Sequence, residues 1–471
     1  VSAYEYPTLI LRGGSVVLPT GDPVVADLVI RDGKIEAVAP AGSATGEIID
    51  ICGLTVMPGA IDAHIHLGHG NDISRPRAAT DAETETAAAL RGGVTSVISY
   101  VMSAQPYETF FEEMKDLTEA GARIDFGFHF VIATEEQMAS LPLYIFELGV
   151  PTAKLFMNIR LDEGKRLGLP GIDDGFMFRL LEVLRDNGGM LCPHPENIDI
   201  GWALTNRMQD AEPEGKGRLV SWNKARPSFI EAEAIRRVGY LGKVTGSQVY
   251  FVHTSSAAAL EAARTVRSEG SPVWIETCTQ YLTHDVTTEK GDLAKINPPL
   301  REAADIDALW AGIIDGVIDT VASDHVHRTA AAKVGGIWKA SPGCPGLDTL
   351  LPVLISEGHH KRGVPLRRIA ELTSTNPARL MGLSHRKGSI APGLDADLTI
   401  VDLNSSYEVG PETMSSDAGY SLYEGQVLKG KVIHVLSRGK FALRNEQLLD
   451  EAIGRGRYVP RRLTSTTTAA I

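Results

Sequence analysis

The stretch "DAHIHLGHGND" (residues 62–72) puts His64, His66 and His69 within six positions. Alternate residues of a strand point to one face, so His64 and His66 can bind a single ion together. Further along, other apolar runs end in side chains of the same chemistry: His194 in "MLCPHPEN", His253 in "SQVYFVHTSS" and Asp324 in "DTVASDHVH". A lone histidine, or one HxH pair, is more often a satisfied core or surface group. Five metal-competent groups at successive run ends suit two divalent ions better than one. A carboxylate such as Asp324 can bind metal there, cap a helix or carry protons. Lys154, inside "TAKLFMNI", is the odd member. An ammonium repels cations and is costly to bury, so at such a site it must be neutral or chemically altered.

The elements that would position these groups are legible as a rhythm. Between about residue 58 and about 380, short apolar runs alternate with helical patterns, as in "VTSVISYVM" then "YETFFEEMKDLTEAG" and "IDFGFHFVIA" then "EEQMASLPLYIFELG". About eight such units predict an α/β fold, a (β/α)8 TIM barrel rather than a doubly wound sheet. In a barrel the C-terminal strand ends converge on one mouth, which gathers residues remote in sequence. The first sixty residues read as short strands with glycine turns, "TLILRGGSVVLP" and "ADLVIRDGKIEAVAP", a small antiparallel unit. The pattern returns in "GSIAPGLDADLTIVDL" and "GKVIHVLSRGKFAL". Neither half can cover a sheet face alone, so both chain ends are expected to form one small β-sandwich domain. The expected division is 1–57 and 385–445 for the sandwich, 58–384 for the metal-dependent barrel, and 446–471 for a C-terminal tail. Its end "YVPRRLTSTTTAAI" (458–471), small and polar, reads as a mobile terminus or an arm on a neighbouring subunit.

Bulk properties narrow the partners. Forty-six basic against 59 acidic residues give a net charge of −13, which argues against nucleic acid or an anionic membrane. With no apolar run of 18 residues and no basic segment before an apolar one, neither a membrane span nor a secretion signal is expected. Cys52, Cys192, Cys278 and Cys344 are scattered singly, which suits a reducing cytoplasm. Cys192 and Cys278 read as small buried hydrophobes.

Taken in order, the segments resemble the amidohydrolase superfamily, in its dihydropyrimidinase, hydantoinase, allantoinase and dihydroorotase branch. "PGAIDAHIHL" looks like that branch's first-strand motif and "AKLFMN" like its lysine strand. "CPHPEN" and "VHTSSAAAL" match two later histidine strands, "ETCTQYL" and "INPPLR" the next segment, and "ASDHVH" the aspartate strand. "CPGLDTLLPVL" and "NPARLMGLSHRKGSIAPGLDADLTIVD" match its closing part, so the resemblance spans nearly the whole chain. It implies that His64, His66 and Asp324 hold one metal and His194 and His253 the other, with Lys154, carboxylated by CO2, bridging them. It also implies a bridging hydroxide as nucleophile and Asp324 as carrier of its proton to the leaving nitrogen. The ligand set suits zinc, cobalt, manganese or iron. The implied partners are a small-molecule substrate and further copies of the chain, as a tetramer or dimer.

The likeness breaks at the substrate. Members that open cyclic ureides carry a tyrosine five residues after the lysine, which hydrogen-bonds the developing oxyanion; here that position is Ile159, which donates nothing. A serine before "PPLR" and an asparagine in the glycine-rich loop before "PG" also hold the ureide; here they are Asn297 and Pro342. Metal ligands kept and substrate contacts replaced predict a C–N bond in a non-cyclic, fairly apolar molecule. A phenylurea or thiocarbamate is the expectation, with the herbicide hydrolases of those compounds as near relatives. The alternative is a hydantoinase or dihydropyrimidinase drawing its oxyanion donor from Asn158 or His69. A non-catalytic scaffold relative or a mononuclear deaminase would lack, respectively, the complete ligand set and the need for Lys154. His129 and Trp274 read as structural, while His327 and Arg328 fit a pocket wall or a solvated loop equally.

Overall fold

The computed structural model of the chain describes residues 8–159, 164 and 168–463. The chain opens with five strands, β1 (Leu9–Val16), β2 (Val24–Arg31), β3 (Lys34–Pro40), β4 (Glu47–Asp50) and β5 (Thr55–Pro58). The "RDGK" turn joins β2 to β3 with φ of 50° at Asp32 and 77° at Gly33, as a tight two-residue hairpin requires. β1 is antiparallel to β2 but parallel to both β4 and β5, which corrects the expectation of a purely antiparallel unit. The reason is local. β4 and β5 run in line along one edge of β1, separated by the Ile51–Leu54 turn, and β1 itself slips register between Leu11 and Gly14 beside that turn. Gly13 tolerates the approach because a Cβ there would stand 2.5 Å from the Cys52 sulfur.

The barrel follows: β6 (Ala60–His66), β7 (Val94–Val101), β8 (Asp125–Val131), β9 (Thr152–Phe156), β10 (Met190–His194), β11 (Gln248–Phe251), β12 (Val273–Cys278), β13 (Thr320–Ala322) and β14 (His325–Val326). From β6 to β13 each strand pairs in parallel with the next. β13 and β14 are two pieces of one eighth strand, interrupted at Ser323 and Asp324, and β14 closes the ring on β6. This is the (β/α)8 barrel. Its strands are covered on both faces, so β6, β7 and β8 are buried from end to end and read as continuous runs rather than alternations. The helices outside it follow ordinary rules: in Ala257–Ser268 the Ser256 side chain caps the Ala259 N–H, and Ala259, Leu260, Ala263 and Val266 form the buried stripe.

The chain then returns to the first sheet with β15 (Leu398–Glu408), β16 (Val427–Ser437), β17 (Lys440–Arg444) and β18 (Gln447–Leu448). β15 lies antiparallel to β5, giving the order β18-β17-β16-β15-β5-β1-β2-β3 with β4 on β1. Both chain ends thus build one sheet domain. It is fastened to the barrel by Lys387, whose buried ammonium donates to Asp125 of β8 at 2.9 Å and to Asp397. Asp125, Asp395 and Asp397 crowd together as metal ligands would, yet Lys387 and Arg386 already neutralise them.

The tail needs correction. Its stretch 458–463 lies on this chain's own barrel: the Val459 N–H donates to the Phe126 carbonyl at 2.8 Å, and buried Arg461 donates to Thr152 Oγ1 at 2.8 Å. Arginines in a polar-looking segment hid an anchor that snorkels into the barrel's underside. Residues 464–471 lie outside the described residues. No helix among the described residues is long and apolar enough to cross a membrane. The four cysteines are free, with Cys192 and Cys278 buried as read.

Candidate metal centre

The polar ends of the barrel strands meet at one mouth. His64 and His66 finish β6 on one face, and Asp324 stands in the break of the eighth strand. Asp324 Oδ1 lies 3.1 Å from His64 Nε2 and 3.4 Å from His66 Nε2. His194, the last residue of β10, turns its Nδ1 to within 2.9 Å of Nε2 of His253, just beyond β11. Asp324 and His253 have φ of 47° and 42°, a left-handed conformation that non-glycine residues rarely adopt. Strain of this kind gathers where the surroundings must aim a functional group.

Carboxylates behind the rings set their orientation. Glu276, inside β12, sits 2.6 Å from His64 Nδ1, accepts the His253 backbone N–H at 2.9 Å and accepts the Tyr250 hydroxyl at 2.8 Å. Glu196 sits 2.6 Å from His194 Nε2 and is itself gripped by both arms of Arg226, at 3.0 and 2.8 Å. A carboxylate on the far nitrogen fixes the tautomer, so the near nitrogen offers a lone pair. Burial raises the Glu196 pKa, but Arg226 and His194 outweigh it and hold that carboxyl well below its usual range. Asp324 behaves alike: burial opposes ionisation, and His64 and His66 more than restore it. Burial pushes His66 down to about 4, against the pull of Asp324, and pushes His253 well below its ordinary value with help from His194 and Lys154. His64 alone is shifted up, because Asp324 and Glu276 beside it outweigh its burial. Metal binds neutral imidazole and ionised carboxylate, and this nitrogen and oxygen donor set fits divalent first-row ions.

Lys154 on β9 is 1% exposed. Its Nζ lies 4.4 Å over the Tyr100 ring and pairs with no carboxylate among the described residues. Burial lowers its pKa to about 8, although Asp324 and Glu276 pull the other way. A lysine so placed has a share of free amine near neutrality, as its presence among cation ligands demands.

Beside these groups lies a cleft lined by His66, His194 and Asp324 together with Asn158, Ile159, Asn297 and Pro342. Four of the five expected substrate-contact residues are therefore at the metal ligands. His69 is not. Its half-exposed ring binds Asp81 at 3.0 Å, in a turn pinned to Asp72, so it cannot serve as an oxyanion donor. Arg328 lines the cleft, whereas His327 is buried behind it with Nδ1 on the His66 carbonyl. His129 stacks on Tyr100 at 4.2 Å and bonds Thr152 and the Ala63 carbonyl, and Trp274 packs in the barrel core, so both are structural. Glu196 and Glu276 escaped the sequence reading. A lone charge inside the buried run "VWIETC" was the available signal for Glu276, and the spacing of two from His194 for Glu196.

Glu196→Gln is expected to weaken metal retention by about 10–100-fold, because the amide no longer fixes the His194 ring as an anion does. Competition with a chelator measures it; undiminished retention would remove Glu196 from the metal centre.

Histidines, an aspartate and a lysine at the C-terminal mouth of a (β/α)8 barrel define a metal-dependent hydrolase. Residues 55–154 and 249–442 match the amidohydrolase family, and the chain belongs to that family. It is 33% identical over 470 residues to the D-hydantoinase of Geobacillus stearothermophilus, covering 96% of each chain. It is 34% identical over 451 residues to the allantoinase of Solibacter usitatus, covering 93% of this chain and 94% of that one. The solved structure of a D-hydantoinase from a Bacillus species superposes with a TM-score of 0.88 at 32% identity, covering 97% of this chain and 100% of that one. The protein is thus a metal-dependent amidohydrolase acting on C–N bonds, and its family and hydantoinase relatives imply a pair of divalent ions at the site.

Proposed function

We propose that this enzyme opens a cyclic ureide, hydrolysing one ring C–N bond of a hydantoin-like amide. What carries the reading is likeness along 93% or more of the chain to relatives named for hydantoin and allantoin, both cyclic ureides. The phenylurea or thiocarbamate expectation gives way to its alternative, and the cleft supplies a reason. Ile159 packs with Met102, Val131, Ala133 and Leu169, so it removes one donor without making the whole wall apolar. Asn158 and Asn297 both line the cleft, and each leaves its carboxamide oxygen buried without a partner among the described residues. Orphaned acceptors favour a ligand that brings N–H groups, and a ureide edge alternates N–H with C=O. Counting replaced contacts overlooked that Asn297 is itself such a group.

In this reading His64, His66 and Asp324 would hold one divalent ion and His194 and His253 the other, with Lys154, carboxylated by CO2, as a shared anionic ligand. Bound zinc, cobalt or manganese would polarise the scissile carbonyl and lower the pKa of water. Asp324 takes a proton from the attacking water and passes it to the leaving ring nitrogen. The Asn158 carboxamide stands next to Ile159 as a donor to the developing oxyanion.

A hydrolysis panel tests this: hydantoin, allantoin and dihydrouracil against aryl ureas and thiocarbamates. Turnover of at least one cyclic ureide well above the open-chain compounds is expected; fast aryl urea cleavage with inert ureides would reverse the assignment.

A further inference from the structure

Ile73, Met102 and Arg328 line both the metal cleft and a second cavity of about 750 Å3, so a space large enough for a ring substituent adjoins the metal ligands. Arg75 lines that space. Its guanidinium carbon lies 4.2 Å from the centroid of the Phe110 ring, a cation–π contact that still leaves the N–H groups free to bind an anion. No acceptor and no carboxylate meets them among the described residues. The neighbouring charges are accounted for differently: Asp72, the one acidic side chain among the described residues lining the cavity, is paired with Arg77 at 2.8 Å. Arg75 is thus a partly buried guanidinium that meets no anion among the described residues, in a cavity that adjoins the metal cleft. A planar guanidinium fork suits a carboxylate, which can accept two parallel N–H bonds from it.

We propose that the ureide ring carries a carboxylate-bearing arm, and that Arg75 binds this carboxylate while the ring lies at the metal ligands. The inference rests on the cyclic-ureide reading and adds the charge of the substituent. Arg75 is a specificity residue in this scheme and takes no part in bond cleavage.

The test uses the metal-loaded enzyme and two hydantoins that differ only in charge, one with a carboxyethyl arm on its ring carbon and one with the neutral carbamoylethyl arm. The parent enzyme is expected to favour the carboxylate by about tenfold in kcat/KM. The preference should shrink as salt is added, because the binding group is reached by solvent. Arg75→Gln should erase it through the KM of the carboxylate substrate, and Arg75→Lys should keep part of it. Reading the ratio of the two substrates cancels any general loss of folded enzyme. A ratio near one in the parent, or an unchanged ratio in Arg75→Gln, overturns the role of Arg75 while leaving the ureide reading intact. If neither hydantoin is opened, the ureide reading itself falls and takes this inference with it.

Discussion

Asp324→Asn is expected to lower turnover by about a thousandfold or more while part of the metal stays bound. The carboxamide keeps one oxygen in place for a cation, in reach of His64 and His66, but it has no basic oxygen to take a proton. Asp324 is suited to that task because the two imidazoles keep it ionised despite burial. Steady-state kinetics with parallel metal analysis separates the two roles. Near-normal turnover would remove the proton-transfer role, and loss of all metal with no separate kinetic defect would reduce Asp324 to a ligand.

Lys154→Ala is expected to cut bound metal from two ions per chain to one, and turnover by at least about a hundredfold. The folded state should tolerate the change. The side chain removed is a buried amine resting on Tyr100, paired with no carboxylate among the described residues, so its loss leaves no partner stranded. Metal content is therefore the reading to make first. A variant that still binds two ions and turns over normally would show that the lysine joins nothing, and would return the enzyme to the single-ion deaminase pattern.

The barrel was legible because its strands are buried on both faces, so they announced themselves as short apolar runs between helical patterns, some with a polar, metal-competent group at or near the run's end. His64 and His66 could be paired from their spacing alone. The partners that aim the rings could not, since Glu276 is 212 positions from His64 and Arg226 is 30 from Glu196. Adjacency also misled: His69 follows His66 by three residues, yet the turn carries it to Asp81. For Asp324 the residue was evident but its setting was not, because a strand broken at a positive φ leaves no mark in the pattern of apolar residues. Ile159 shows the limit of arguing by substitution, since one lost donor says little until the neighbouring wall is known.

The place of β5 between β1 and β15 imposes an order on the making of the protein. β5 is complete at Pro58, but β15 begins at Leu398. A ribosome adding roughly 5–20 residues per second needs on the order of tens of seconds to cross that distance. For all that time one edge of β5 offers unsatisfied N–H and C=O groups to any passing strand. Every barrel strand lies within the interval, so the barrel can close while the sheet beside it waits. The last strands to emerge act as a clasp, and a nascent chain that stalls before them carries a finished metal pocket beside an open, aggregation-prone seam.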